Sequence, residues 1–378
     1  MDELRRRLGQ RIRVARTALS VTQQELAREA ALPAPQVVSQ IEKGEREVKA
    51  WELVNIARVL RVDIGTLLQD EEPARRAVVL WRDGPVEERE AREAEFVQAC
   101  ERYALLERLC GQCVESELPS WPDEPGRLTF ERAGAMADHA REQLELGSRP
   151  ASALQSVLEE RYGVKIWCRP LGAHGSAACT RDTTGPAILI NADEVPWRRN
   201  FSVAHELFHL LTWEHSAHGW GSGGERLRER VEQVANTFAS ALLLPEGVLR
   251  QAVSRRTHDQ RLGMPDLVEL AREFDVSADA LLWRLLNLGV LSAETVESIR
   301  NSDAFRALDR SSRPTNWTRP PDLPERYVRL GFTAYLKGSL SRARLAEFLG
   351  VSLADLNVKL EEYGFAERQD YAAEYRTA

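Results

Sequence analysis

Apolar positions recur at helical spacing along most of the chain. Leu4, Leu8, Ile12 and Ala15, with arginines between them, predict an amphipathic helix over 4–18. Thr22 is placed to cap a second helix over 23–30, a tight turn follows at 31–33, and a third helix runs over 35–43, with Pro35 in its first turn and Gly44 beyond its end. Two further short helices, 51–60 and 64–69, would close a bundle, and the short pair joined by a tight turn predicts a helix-turn-helix. An extended connector over 72–84 holds one possible strand, A-V-V-L-W. The stretch 86–118 is helical and heavily charged, with Phe96, Tyr103, Leu106 and Leu109 or Cys110 on one stripe. It reads either as a spacer or self-association helix, or as one that packs back on the domain that follows. P-S-W-P-D-E-P-G at 119–126 breaks it.

Helices resume at 133–146 and 150–162, and two short β-runs at 163–168 and 186–191 flank a polar turn near 182–185. Two strongly apolar helices then follow, one through 203–212 and one through 232–245, the latter with a stripe of Leu227, Val231, Val234, Phe238 and Leu242. Farther on a figure repeats: L-A-R-E-F-D-V-S at 270–277 and L-A-E-F-L-G-V-S at 345–352, each ahead of an apolar helix. The helices after both turns present mostly apolar or acidic residues, which favours packing over nucleic-acid contact. Between the repeats, 302–322 is rich in Pro, Ser and Arg and reads as a linker, with a small helical module from 323 onward. The predicted fold is mainly α with a small β-sheet. Its parts are a five-helix domain at 1–70, a connector with a charged helix at 71–130, an α+β domain at 131–300, and a linker and helical module at 301–378.

Composition narrows the class. A chain of 378 residues with 43% hydrophobic and 29% charged residues can bury two or three cores and stay soluble. No apolar run approaches the ~20 residues of a membrane span and no hydrophobic signal segment follows the Arg-rich start, so a cytoplasmic protein without membrane contact is expected. Five cysteines, an odd count, argue against a disulfide framework; Cys110 and Cys113 form C-G-Q-C, but no strand pattern precedes it and no second C-x-x-C completes a site, so ordinary reduced thiols are expected. The net charge of −7 excludes general affinity for nucleic acid, yet Arg5, Arg6, Arg7, Arg11, Arg13 and Arg16 crowd the opening helix. Local basicity decides contact with phosphate.

The helix through 203–212 carries the chemistry. His205, Glu206 and His209 form H-E-x-x-H, in which imidazoles four residues apart share a face and can grip one metal. Glu206, one step round the helix, is placed to take a proton from water rather than to ligate. A third ligand is needed, and two candidates compete. Glu232 lies four residues before Asn236 on the next helix, where Ala235 and Ala239 leave room for close approach, so that a carboxylate could bind metal while the Asn amide orients a ligand histidine. His215 has the spacing of the third histidine in H-E-x-x-H-x-x-G-x-x-H, but Thr212 stands at the glycine position and no Met-turn is recognisable, which favours Glu232. The edge of the small sheet before this helix could hold an extended peptide beside the metal by strand addition. His218 and His258 read as exposed loop residues rather than oxyanion donors.

The run R-R-N-F-S-V-A-H-E-L-F-H-L-L, followed by E-x-x-A-N-x-F-A-x-x-L-L-L-P, resembles the ImmA/IrrE family of zinc metallopeptidases; the similarity reaches upstream to L-E-E-R-Y-G-V-K-I-W and A-I-L-I-N. The resemblance implies a zincin-like fold, zinc on His205, His209 and Glu232 with manganese as the alternative metal, and Glu206 as general base. Phe208 stands where the family usually carries Gly, a bulk expected to alter packing behind the metal and to narrow the substrate groove. T-Q-Q-E-L-A-R-E-A with V-V-S-Q-I-E-K-G is similar to the Cro/CI-like (XRE) DNA-binding domain. Carried over, Gln23 would touch a phosphate, Gln36, Val37 and Gln40 would face bases in the major groove, and Lys43 would lie near the backbone. Together the resemblances imply a regulator of transcription bearing a zinc endopeptidase. Expected partners are a double-stranded DNA operator and a repressor of the Cro/CI-like fold as substrate, or the chain itself, with a homodimer as the default assembly. The alternative is a transcription factor whose peptidase-like domain is a non-catalytic sensor or scaffold.

Overall fold

Among the described residues, five helices form in the first of two units into which the chain divides, Met1–Ala77: α1 (Asp2–Ala18), α2 (Gln23–Glu29), α3 (Pro35–Glu42), α4 (Ala50–Val59) and α5 (Ile64–Leu68). In the computed structural model the described residues are 2–18, 21–60, 62, 64–68, 78–82, 89–114, 117–172, 175–216, 224–257, 261–312 and 319–366. The cap expected at Thr22 is present as a capping box, its hydroxyl accepting from the Glu25 N–H while the Glu25 carboxylate accepts from the Thr22 N–H. Ala31, with φ of 56°, makes the turn into α3. A core of Ile12, Leu26, Val38, Ile41 and Ile56 joins the helices. Gly9 has no substitute where α1 crosses α3, because a Cβ there would lie 2.1 Å from the Ile41 carbonyl oxygen.

The second unit, Val78–Ala378, holds one sheet between two helical layers. Its elements are β1 (Leu80–Arg82), α6 (Arg89–Cys110), α7 (Phe130–Gln143), α8 (Pro150–Tyr162), β2 (Lys165–Arg169), β3 (Ala177–Asp182), β4 (Gly185–Asn191), α9 (Pro196–Leu211), α10 (Trp213–Ser216) and α11 (Gly224–Leu243). Then come α12 (Glu246–Arg256), α13 (Met264–Glu273), α14 (Ala278–Asn287), α15 (Ala293–Asn301), α16 (Asp303–Ser311), α17 (Glu325–Leu336), α18 (Arg342–Leu349) and α19 (Leu356–Glu362). The strand order is β1-β3-β4-β2, with β2 parallel to β4 and the other pairs antiparallel. Successive side chains on a strand leave opposite faces. Ile166, Cys179, Ile188 and Ile190 therefore join the core built with α7, α8, α9 and α11, whereas Trp167, Ala178, Ala187 and Leu189 join the one built with α6 and α17 to α19.

Of the two readings of the charged helix, packing back is the one observed: Phe96, Cys100, Tyr103, Leu106 and Cys110 of α6 are buried in that second core. The Cys110 thiol donates to the Leu330 carbonyl at 3.2 Å and Cys113 is exposed, both as free thiols. Each repeat is a pair of helices joined through a left-handed residue, Asp275 (φ 52°) before α14 and Gly350 (φ 69°) before α19. The stretch read as a linker is partly helical. Ser302 caps α16 by accepting from the Phe305 N–H, Phe305 is buried, and Asp309 pairs with Arg272 at 2.5 Å. Among the described residues no helix is long and apolar enough to cross a membrane.

Candidate metal centre

α9 starts at Pro196, whose missing N–H costs nothing in a first turn, and it is buried continuously from Ser202 to Leu211. α11 packs against it, with Ala235 and Ala239 fully buried. This contact brings three donors together. His205 Nε2 lies 3.1 Å from Glu232 Oε2 and 3.2 Å from His209 Nε2, and His209 Nε2 lies 3.7 Å from Glu232 Oε1. Among the described residues, His205, His209 and Glu232 are the group able to hold a metal, with ligand atoms within 4.8 Å of one another. His215 is not part of it; its Nε2 is 3.0 Å from the Pro122 carbonyl, in the segment that breaks the preceding helix. His218 and His258 lie outside the described residues.

The donor set fits a divalent cation. Two imidazoles and a carboxylate are the usual protein ligands of a catalytic zinc. Both oxygens of Glu206, only 1% exposed, lack a hydrogen-bond partner of normal geometry, and an uncompensated buried carboxylate is costly. Burial first, and then the Glu232 charge, push the Glu206 carboxyl up to about 8, while the Cys179 thiol and Arg82 act in the opposite sense. Burial and the neighbouring His205 lower His209 to about 3, against the pull of Glu232. A cation among these groups would favour ionised Glu206 and neutral His209.

Asn236 lies beside His205. Its Oδ1 lies 3.0 Å from His205 Nδ1, so that nitrogen carries the proton and the Nε2 lone pair faces the other donors. Sequence reasoning missed Arg82. From the edge strand β1, Arg82 Nη2 donates to the same Asn236 Oδ1 at 3.4 Å, and the Arg82 Cζ lies 5.4 Å from the centre of the Phe201 ring. β1 also forms one edge of the sheet. The β3 edge is already paired with β1, and Arg228 donates to the Trp81 carbonyl at 3.2 Å, so a peptide would have to pair elsewhere than on β3. Phe208 corrects one expectation. It is fully buried against Phe238, with ring centres 5.5 Å apart, so its bulk fills the core behind α9 instead of narrowing a groove.

In the first unit, Gln36, Gln40 and Lys43 of the α3 segment are exposed and Val37 is half-buried against the core. Gln23 donates to Glu42 at 2.7 Å, beside the bidentate pair of Arg16 with the same carboxylate, so its amide is engaged within the bundle.

Residues 159–286 match the family model for the IrrE N-terminal-like domain. The radiation response metalloprotease IrrE of Deinococcus radiodurans is 32% identical over 178 residues, covering 43% of this chain and 51% of that protein. Its counterpart from Deinococcus deserti is 31% identical over 144 residues, covering 36% and 47%. The chain thus spans about half the length of these relatives. Among solved structures, a Mycobacterium tuberculosis transcriptional regulator aligns over 49% of this chain and 51% of its own at 15% identity and a TM-score of 0.33. Bacillus thuringiensis PlcR, solved in complex with the peptide PapR7 and DNA, aligns over 80% and 95% at 13% identity and a TM-score of 0.17. The matched segment contains His205, Glu206, His209 and Glu232, and over it the chain is similar to the IrrE N-terminal-like domain.

Proposed function

We propose that the chain is a DNA-binding regulator whose second unit is a zinc-dependent endopeptidase. The observation that carries this reading is the convergence of His205, His209 and Glu232 beside the buried carboxyl of Glu206. When bound, the metal supplies Lewis acidity: it polarises a peptide carbonyl and makes water nucleophilic near neutral pH. Glu206 takes the proton from the attacking water and returns it to the leaving amine. Asn236 holds the tautomer of His205 that leaves Nε2 free to ligate. The burial of α9 excludes bulk water from the Glu206 side of the site.

The first unit supports operator binding through the exposed Gln36, Gln40 and Lys43, with Gln suited to bidentate contact with adenine. Palindromic operators make a homodimer the natural assembly. The substrate we favour is a repressor of the Cro/CI-like fold, or a second copy of this chain. Mass spectrometry of newly formed protein N-termini tests the reading in cells making either the wild type or Glu206→Gln. New termini confined to the wild type, with about one zinc per chain in both proteins, are expected. Equal termini with zinc retained would establish instead a metal-bearing sensor, and absence of zinc from purified wild type would remove the peptidase altogether.

A further inference from the structure

The sheet face opposite α9 is not fully closed. Between α6, the end of β2 and the α17–α18 pair lies a cavity of about 330 Å3, within the size range of small-ligand sites. Its walls include Trp167, Tyr327 and Phe348, all buried, with the Trp167 and Tyr327 rings 5.0 Å apart and inclined at 60°. Flat apolar surface of this kind suits a flat apolar guest.

Charge at the cavity is one-sided. Arg92, Arg102 and Arg169 line it against a single carboxylate, Glu95. Among the described residues neither Arg102 nor Arg169 forms an ion pair or hydrogen bond; each stands near an aromatic ring, Phe348 at 5.9 Å and Trp167 at 5.2 Å. Arg92 commits one nitrogen to the Pro170 carbonyl at 3.1 Å. The third observation is independent of charge. Trp167 is 2% exposed and its indole N–H has no hydrogen-bond partner. Buried donors are nearly always satisfied, so this orphan marks the packing beside the cavity as incomplete.

We propose that this cavity binds a small organic anion with a flat apolar body, of the class of aromatic carboxylates and aryl phosphate esters. The anionic group meets Arg102 and Arg169, and the ring lies against Trp167 and Tyr327. The site is distinct from the metal centre and stands whether or not the peptidase reading does. It is nevertheless one strand away. On β4, Leu189 lines the cavity while Ile188 and Ile190 pack in the core shared with α9.

Isothermal titration of the zinc-loaded full chain with benzoate, phenyl phosphate, inorganic phosphate and benzyl alcohol tests the proposal. Benzoate or phenyl phosphate should bind with a dissociation constant below about 1 mM, and both controls at least tenfold more weakly. Arg102→Gln/Arg169→Gln should lose at least tenfold in affinity for the aromatic anion, with unchanged zinc content and thermal midpoint. Equal binding of inorganic and phenyl phosphate would reduce the site to a basic patch and overturn the proposal. So would the absence of binding by both aromatic anions, or full affinity in the double variant.

Discussion

At the residue scale, the metal site depends on a relay that reaches outside the ligand helices. Asn236 Oδ1 accepts from His205 on one side and from Arg82 on the other, which fixes the amide orientation and, through it, the histidine tautomer. Partners of this kind are commonly worth roughly 10–100-fold in metal affinity. Asn236→Ala should therefore weaken zinc binding by about that factor, and Arg82→Gln by a few-fold, as read by competition with a chromogenic chelator; unchanged affinity in both would reduce the relay to packing. The two halves of this relay were not equally legible. Glu232 and Asn236 stand four apart on one helix and follow H-E-x-x-H closely, so spacing alone could pair them. Arg82 acts across 154 residues, from a three-residue strand with no motif of its own. Only the antiparallel pairing of β1 with β3 brings it to the centre.

At the scale of elements, the helices with unbroken apolar stripes were readable to within a few residues, and the failures occurred where a segment takes its partner from far away. α16 was masked by the Pro, Ser and Arg content averaged over 302–322; its Ser302 cap and buried Phe305 are local signals inside a polar window. β3 reads A-A-C-T-R-D, without alternation, because both faces of its first half are covered. The charged stripe of α6 hid a different device. Glu107, 7% exposed, bridges Lys165 of β2 at 3.1 Å and Arg326 of α17 at 2.5 Å, and both cations are buried. Removing one partner from such a network leaves uncompensated charge, at a cost of about 3–5 kcal/mol. Glu107→Gln should lower the stability of the second unit by that order in urea unfolding, whereas Glu107→Gln combined with Arg326→Met should recover part of the loss. A single variant within 1 kcal/mol of wild type would show that the bridge is solvated.

For the whole molecule, the sequence suggested four parts with limits at 70, 130 and 300, whereas the structure divides into two units, Met1–Ala77 and Val78–Ala378. The physical consequence can be tested through the metal. All three candidate ligands lie in the second unit, on α9 and α11, while the first has a core of its own. A ligand that binds only the folded state stabilises by RT ln(1 + [L]/Kd), about 4 kcal/mol when the free metal is 1,000 times Kd. Hydrogen exchange on the full chain with zinc or with a chelator should therefore show zinc-dependent protection in peptides from α7, α9 and α11. Peptides from α1 to α5 should exchange at the same rate in both conditions, and Glu232→Ala should abolish the difference throughout. Protection spreading into α1 to α5 would mean that metal occupancy is communicated to the N-terminal bundle. In that case the metal centre could bear on operator binding without any peptide bond being cut.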